Sequence, residues 1–526
     1  MVGLSGVLIK SIKGEIMKKI TLALTAMAVL GSVGVAKTLK VGLASGAYTM
    51  DPQAFNETAT NSILSNIFDP LVRFDENIKV HADLAESWTN PEPKVWILKL
   101  RKGVKFHNGN ALTADDVLFS FDRIKNWKKS RFKGKVSMIE SVEKVDDFTV
   151  KFTTKKAFPV FLRKLTYVNI MDKETNEGKS DEWIGLNPMG TGPYKFVLWR
   201  KGDQIKLKAN TDYWAGTSTY DDLILRVLSN NATRTAAILS GEVDIVNRVP
   251  VVDVARVKSN DKLNFFIKPG LRLIYLQMDQ FRDKSPYVKT SDGKNPFMDV
   301  RVRRAMYYGI NEDAIIKFIM KGFAAPASQF HPDVVVGHDP DIKRVKYDPA
   351  KAKALLAEAG YPNGFEVTLD APNNRYINDA QIAQAIASSL AKIGVKVKVS
   401  AVPKSSFFPK TAKQETSFFL IGWASSDGDG SSMLDGVIHS KDDTKGYGRY
   451  NNGKYTNVKV DKLIEESDAN MNPEERVKQM KEAQRIGIVE DQNIIPLHYQ
   501  VDIYASSKNI KFTPRTDSKI WAFDIK

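Results

Sequence analysis

Residues 84–123 constrain this chain more than any other stretch. Trp96, Leu98 and Leu100 alternate with Val95, Ile97, Lys99 and Arg101, the period of a strand with one well-buried face. His107, Asn108 and Gly109 supply turn chemistry, because Asn and Gly tolerate positive φ. Thr113 predicts a helix N-cap, with Asp115 and Asp116 in the first turn, where the helix dipole favours acids. Val117, Leu118, Phe121 and Ile124 then share one helical face. The stretch reads as a strand, a turn and a capped helix.

Similar patterns continue along the chain. Lys37 to Ala44 reads as a first strand, and Ile63, Leu64, Ile67 and Phe68 form a helical face. Residues 233–239 read as a short helix stopped by Gly241. Asn311 is a candidate N-cap for a helix ending at Gly322, and residues 281–295 read as a polar surface loop. Asp348 and Pro349 open a helix over 350–359, with Gly360 as its stop. Asp379 opens another, with Ile382, Ile386, Leu390 and Ile393 on one face and Gly394 as stop. Val395, Val397 and Val399 follow at once in strand alternation. Pro473 starts a last long helix. Helix and strand in turn predict an α/β fold. Gly190 and Gly192, with Pro188 and Pro193 around them, demand a tight preset backbone, either as a structural turn or facing a ligand.

The N-terminus is a separate matter. Lys18 and Lys19 precede an apolar run over 20–30, and Gly34 and Ala36 flank Val35. A basic region, a short apolar core and small residues make a secretory leader, with Met17 as its start and cleavage before Lys37. The run is short for a membrane span of about 20 residues. There is no cysteine, which excludes disulfides, thiolate metal sites, cysteine nucleophiles and a lipid-modified N-terminal cysteine. The mature protein is therefore expected to be secreted and untethered. The formal net charge is +16, but Lys and Arg are dispersed among acids without one basic stripe, so nucleic acid is not expected as a partner.

Several of these segments also form longer motifs. Ala85-Glu-Ser-Trp88, then Leu100-Arg-Lys-Gly-Val-Lys-Phe-His107 with Gly109, then Leu112-Thr-Ala with Asp116-Val117, run in fixed order. Gly190-Thr-Gly-Pro-Tyr194, Tyr213-Trp214, Gly241-Glu-Val-Asp-Ile245 and Phe297 through Met306 follow. Together they resemble the periplasmic oligopeptide-, dipeptide- and nickel-binding proteins of ABC importers, the family 5 extracellular solute-binding proteins. The resemblance implies an α/β, two-lobed periplasmic binding protein with an extra third subdomain, of the large peptide-binding type. It implies a discontinuous first lobe (37–68, 188–268 and 501–526), an extra subdomain (69–187) and a second lobe (269–500), after the N-terminal extension and cleaved leader over 1–36. It further implies a monomer that carries a small peptide or peptide-like ligand to an inner-membrane permease, without a cofactor.

The site follows from the same resemblance. A zwitterionic peptide needs an acid for its ammonium and an arginine, whose planar fork pairs with carboxylate, for its other end. The family's dipeptide binders place that arginine just before the helix opened here by Asp379, which points to Arg375. A plain surface arginine is the other reading. They place the ammonium-pairing acid three residues after the tryptophan matched by Trp423. Ser426 stands there instead, and the acids come later, at Asp427 and Asp429. Trp423 itself fits a ligand stack or a half-buried core position. A nickel–chelator cargo is the alternative, with His439 and His498 as its candidate contacts among six histidines; His107, part of the motif, reads as structural. A hydrolase is the remaining class. The chain has no Gly-x-Ser-x-Gly elbow and no HExxH helix, so no enzyme activity is expected.

Overall fold

Two long strands, Leu263–Met278 and Ile494–Ser507, run antiparallel through the middle of the molecule. They pair from Leu263 with Ser507 to Gln277 with Ile494, with register shifts between Pro269 and Leu273 and between Ile274 and Tyr275. The computed structural model describes residues 36–526, so all but Ala36 of the segment read as a leader lies outside the described residues. Among the described residues no helix is long and apolar enough to cross a membrane.

The long pair is the centre of a 12-stranded sheet. On one side lie Ile245–Asn247, Thr38–Leu43, Asp222–Val227, Gln204–Ala209 and Tyr194–Arg200. On the other lie Phe418–Ala424, Glu366–Pro372, Lys396–Val402 and Val288–Lys289. Each side has its own core. Leu39, Val41, Leu223 and Leu225 pack with Ile63, Ile67 and Phe68 in the first lobe. Leu369, Phe418 and Leu420 pack with Ile382, Ile386 and Leu390 in the second. The parallel pair Glu366–Pro372 and Lys396–Val402 is joined by the helix Asp379–Ala391, so the expected helix–strand unit is a parallel crossover. The lobe boundaries placed at 268 and 501 sit beside each other, since Lys268 pairs with Asp502 and Pro269 with Val501.

Residues 84–123 give two strands to a separate four-stranded sheet in the order Ala85–Glu92, Val95–Leu100, Thr149–Thr154, Ile139–Asp146. Leu98 and Leu100 point into its core as the alternation predicts, and Trp96 stacks on Phe161 with centroids 5.0 Å apart. The helix runs Ala114–Asn126 and its start is a capping box between Thr113 and Asp116.

The unit is tied to the first lobe through the turn chemistry of two motifs. His107 donates its backbone N–H to the Gly190 carbonyl at 2.9 Å, and its ring Nε2 lies 2.9 Å from the Gly192 carbonyl. A Cβ on Gly192 would lie 2.5 Å from the backbone carbon of Ile67, so these glycines serve close backbone packing and the ligand-facing alternative falls away. Asp69, fully buried beside them, accepts from Arg73 at 2.5 Å, Thr191 at 2.9 Å, and Tyr213 and Trp214 at 3.3 Å.

Two local expectations change. The helix after Asn311 makes only one α-turn, Glu312–Ala314, before widening to a π-turn over Ile315–Ile319. Three β-branched isoleucines crowd that turn and weaken its α preference. Residues 281–295 are not all surface loop. Val288–Lys289 adds an edge strand, and Ser285 and Asn295 are buried on Asp279.

Candidate functional site

Between the lobes lies a cleft of about 710 Å³, well within the size range of small-molecule sites. The first-lobe wall includes Asn61 and Arg248, with Asp517 and Lys519 from the C-terminal segment; Tyr167 comes from the four-stranded unit. The second-lobe wall is Arg375, Tyr376, Trp423, Ser426, Arg449 and Tyr450, with Arg272 on the central strand.

The sequence explains how Arg375 is held. Asp379, first residue of the helix Asp379–Ala391, accepts the backbone N–H of Arg375 at 2.9 Å and of Tyr376 at 3.0 Å. This folds the preceding loop back on the helix start. The Tyr376 hydroxyl then donates to the Gly422 carbonyl (3.2 Å) and accepts the Gly422 N–H (2.9 Å). Gly422 is required there, because a Cβ would lie 2.9 Å from the Tyr376 ring. The locked ring carries a guanidinium from each neighbour: Arg375 at 5.2 Å and Arg272 at 5.9 Å from its centroid. Trp423 stands edge-on to Tyr450, 4.6 Å between centroids, and the pair makes the aromatic part of the wall.

Arg375, Trp423 and Ser426 therefore share the cleft, whereas Asp427 and Asp429 do not line it. Both acids are buried and already paired. Asp427 meets Lys164 of the four-stranded unit at 2.5 Å, and its backbone carbonyl accepts from Arg163 at 3.0 Å. Burial pushes its carboxyl up, but Lys164 and Lys135 overcome this and hold it well below the ordinary carboxylate range. Asp429 makes a two-pronged pair with Arg476 at 2.7 and 2.8 Å. Asp427 thus latches the second lobe to the four-stranded unit, and Asp429 braces its own loop.

The two histidines lie apart from the cleft lining. His439 stacks on Tyr447 at 4.1 Å and contacts the Ser440 carbonyl and Glu465. His498 is buried in the central strand pair, both ring nitrogens unpartnered, and burial pushes its pKa down to about 4. Among the described residues no three metal-ligating side chains of His, Cys, Asp or Glu gather.

Sequence reasoning missed Arg248, Arg272, Arg449 and Tyr450. Arg272 carried a legible signal, a lone charge at the head of the apolar run 271–276. Arg248 and Arg449 sit in loops, where no periodicity marks them.

A cleft walled by two lobes that meet at a pair of long central strands is the architecture of a ligand-binding protein. Residues 79–445 match the family model described as bacterial extracellular solute-binding proteins, family 5, middle. The chain is 31% identical over 449 residues to the glutathione-binding protein GsiB of Pectobacterium atrosepticum, covering 83% of this chain and 84% of that one. It is 31% identical over 504 residues to the dipeptide-binding protein of Escherichia coli, covering 90% and 91%. Its structure is similar to that of HbpA2 from Haemophilus parasuis, with a TM-score of 0.82 and 27% identity over 93% of this chain and 99% of that chain. The protein belongs to the bacterial extracellular solute-binding proteins, family 5.

Proposed function

We propose that this protein is the solute-binding component of an ABC importer that captures a small peptide or peptide-like solute between its lobes and hands it, unaltered, to an inner-membrane permease. The observation that carries this reading is the pose of Arg375, fixed from behind by Asp379 and Tyr376 and turned to a cleft with an aromatic wall. Relatives named for dipeptide and glutathione binding support the same cargo class. In this reading Arg375 takes the terminal carboxylate, Trp423 and Tyr450 flank the backbone, and Ser426 offers a hydroxyl at the wall. Asp427 and Asp429 act behind the cleft, through the latch and the loop. The central strand pair, with its two register shifts, is the hinge. Cargo stabilises the closed form only to the extent that it contacts both lobes. The leader is cleaved before Lys37 and, without a cysteine, the mature chain stays free in the periplasm.

The test is native mass spectrometry of residues 37–526 isolated from their own periplasm, followed by identification of the released molecule. Intact small peptides are the expected result. A nickel chelate, or products of cleavage, would overturn it.

A further inference from the structure

Five cationic side chains line the cleft, Arg248, Arg272, Arg375, Arg449 and Lys519, against two acids, Glu57 and Asp517. Both acids are engaged by the chain itself, and Asp517 offsets Lys519 among the five. Glu57 caps the helix Thr58–Leu64, accepting from Ala59 at 3.0 Å and Thr60 at 3.1 Å. Asp517 also pairs with Arg515 at 3.0 Å. Among the described residues none of the four arginines has a carboxylate within salt-bridge distance; Arg73, Arg123 and Arg476 elsewhere in the molecule each do. Arg272 is the sharpest case. It is largely withdrawn from solvent, lies over the same ring as Arg375, and has burial and its cationic neighbours pushing its pKa down to about 10. Arg248, Arg375 and Arg449 are exposed in the empty cleft, and closure of the lobes, which would strip their water, is what strengthens their attraction for an anion.

A zwitterionic peptide has no net charge. Its single carboxylate would satisfy Arg375 and leave the others uncompensated as the cleft closes. We infer that the cargo is an acidic peptide-like solute with at least one carboxylate beyond its terminus, and that Arg272, with Arg248 and Arg449, receives the extra charge. This rests on the peptide-binding reading and narrows it to an anionic class. Because Arg248 is a first-lobe residue and Arg375 a second-lobe residue, two carboxylates on one ligand also join the lobes.

The experiment is calorimetric titration of ligand-free residues 37–526 with three probes: Ala-Ala-Ala, Ala-Glu-Glu, and tricarballylate, a polycarboxylate without peptide bonds. The expected result is that Ala-Glu-Glu binds at least about tenfold more tightly than Ala-Ala-Ala, a preference that shrinks with added salt. Arg272→Gln is expected to remove most of that preference and Arg272→Lys to restore part of it. If Arg272→Gln does not fold, Arg449→Gln on its exposed loop carries the same comparison. Equal affinity for the two tripeptides would overturn the anionic class and leave the peptide reading intact. Tricarballylate binding alone would overturn the peptide reading and keep the carboxylate inference. No binding by any probe would overturn both.

Discussion

The junction around Asp69 and the cleft around Arg272 handle buried charge in opposite ways. At the junction, the chain supplies every partner: both Asp69 oxygens accept hydrogen bonds, from Arg73, Tyr213, Thr191 and Trp214. At the cleft, the arginines have no carboxylate of their own among the described residues, and the acids nearby are already engaged. The first arrangement is complete in the empty protein and makes it rigid. The second is incomplete until something else arrives. A charge network that the chain closes by itself is scaffold, and one that it leaves open is a binding site.

The comparison breaks most readily at the junction. Asp69→Ala leaves Arg73 buried beside Asp83 without its second partner, and chemical denaturation is expected to show a loss of about 3–5 kcal/mol. Affinity of the surviving folded protein should change little, and a large loss of affinity would erase the distinction between the regions.

Next in size is the pH response of His107. Burial lowers its folded pKa to about 4 from an ordinary 6.5. The unfolded chain therefore binds a proton that the folded one refuses as pH falls through 6.5, and stability declines from there down to about 4. The loss for this residue is up to about 3 kcal/mol. Denaturation of wild type and His107→Asn between pH 7 and 4 should differ in slope by about one proton; identical slopes would mean that His107 titrates normally.

At the cleft the signs reverse. Arg375→Ala is expected to weaken binding of a small peptide about ten- to a hundredfold, the range of a charge-assisted hydrogen bond. Its unfolding free energy should stay within about 0.5 kcal/mol of wild type. A variant that loses stability and keeps affinity would make Arg375 a scaffold residue. Smallest is Arg272→Gln in the ligand-free protein. Relief of repulsion from Arg375 and Arg248 should raise stability by about 0.5 kcal/mol; a fall would mean that Arg272 is satisfied in the empty cleft.

The same contrast explains what the sequence disclosed. Thr113, Gly190, Gly192 and His107 were legible because caps, close backbone approaches and strand alternation impose residue types at fixed spacing. The joining helix Asp379–Ala391 followed from period alone, whereas the two lobes were expected only from the family resemblance. That Arg375 lines the cleft was legible only through the family resemblance, which marks the place before that helix. Asp427 was misleading, since spacing after Trp423 says nothing of Lys164, a residue 263 positions away that reaches it from another unit. Arg248 and Arg449 line the cleft from loops, where no local rule fixes the residue type, so nothing in their neighbourhood announces them.

The seam that joins the lobes also sets a schedule for making them. The central strands pair residues more than two hundred positions apart, and Asn66 accepts the backbone N–H of Ala522, 456 positions downstream, at 2.8 Å. The first lobe thus lacks part of its own sheet and wall until the last residues of the chain are available. Contacts of such long range form slowly. A ribosome or translocation channel holding the C-terminal segment keeps the first lobe incomplete, so the proposed export across a membrane would gain that delay from the topology.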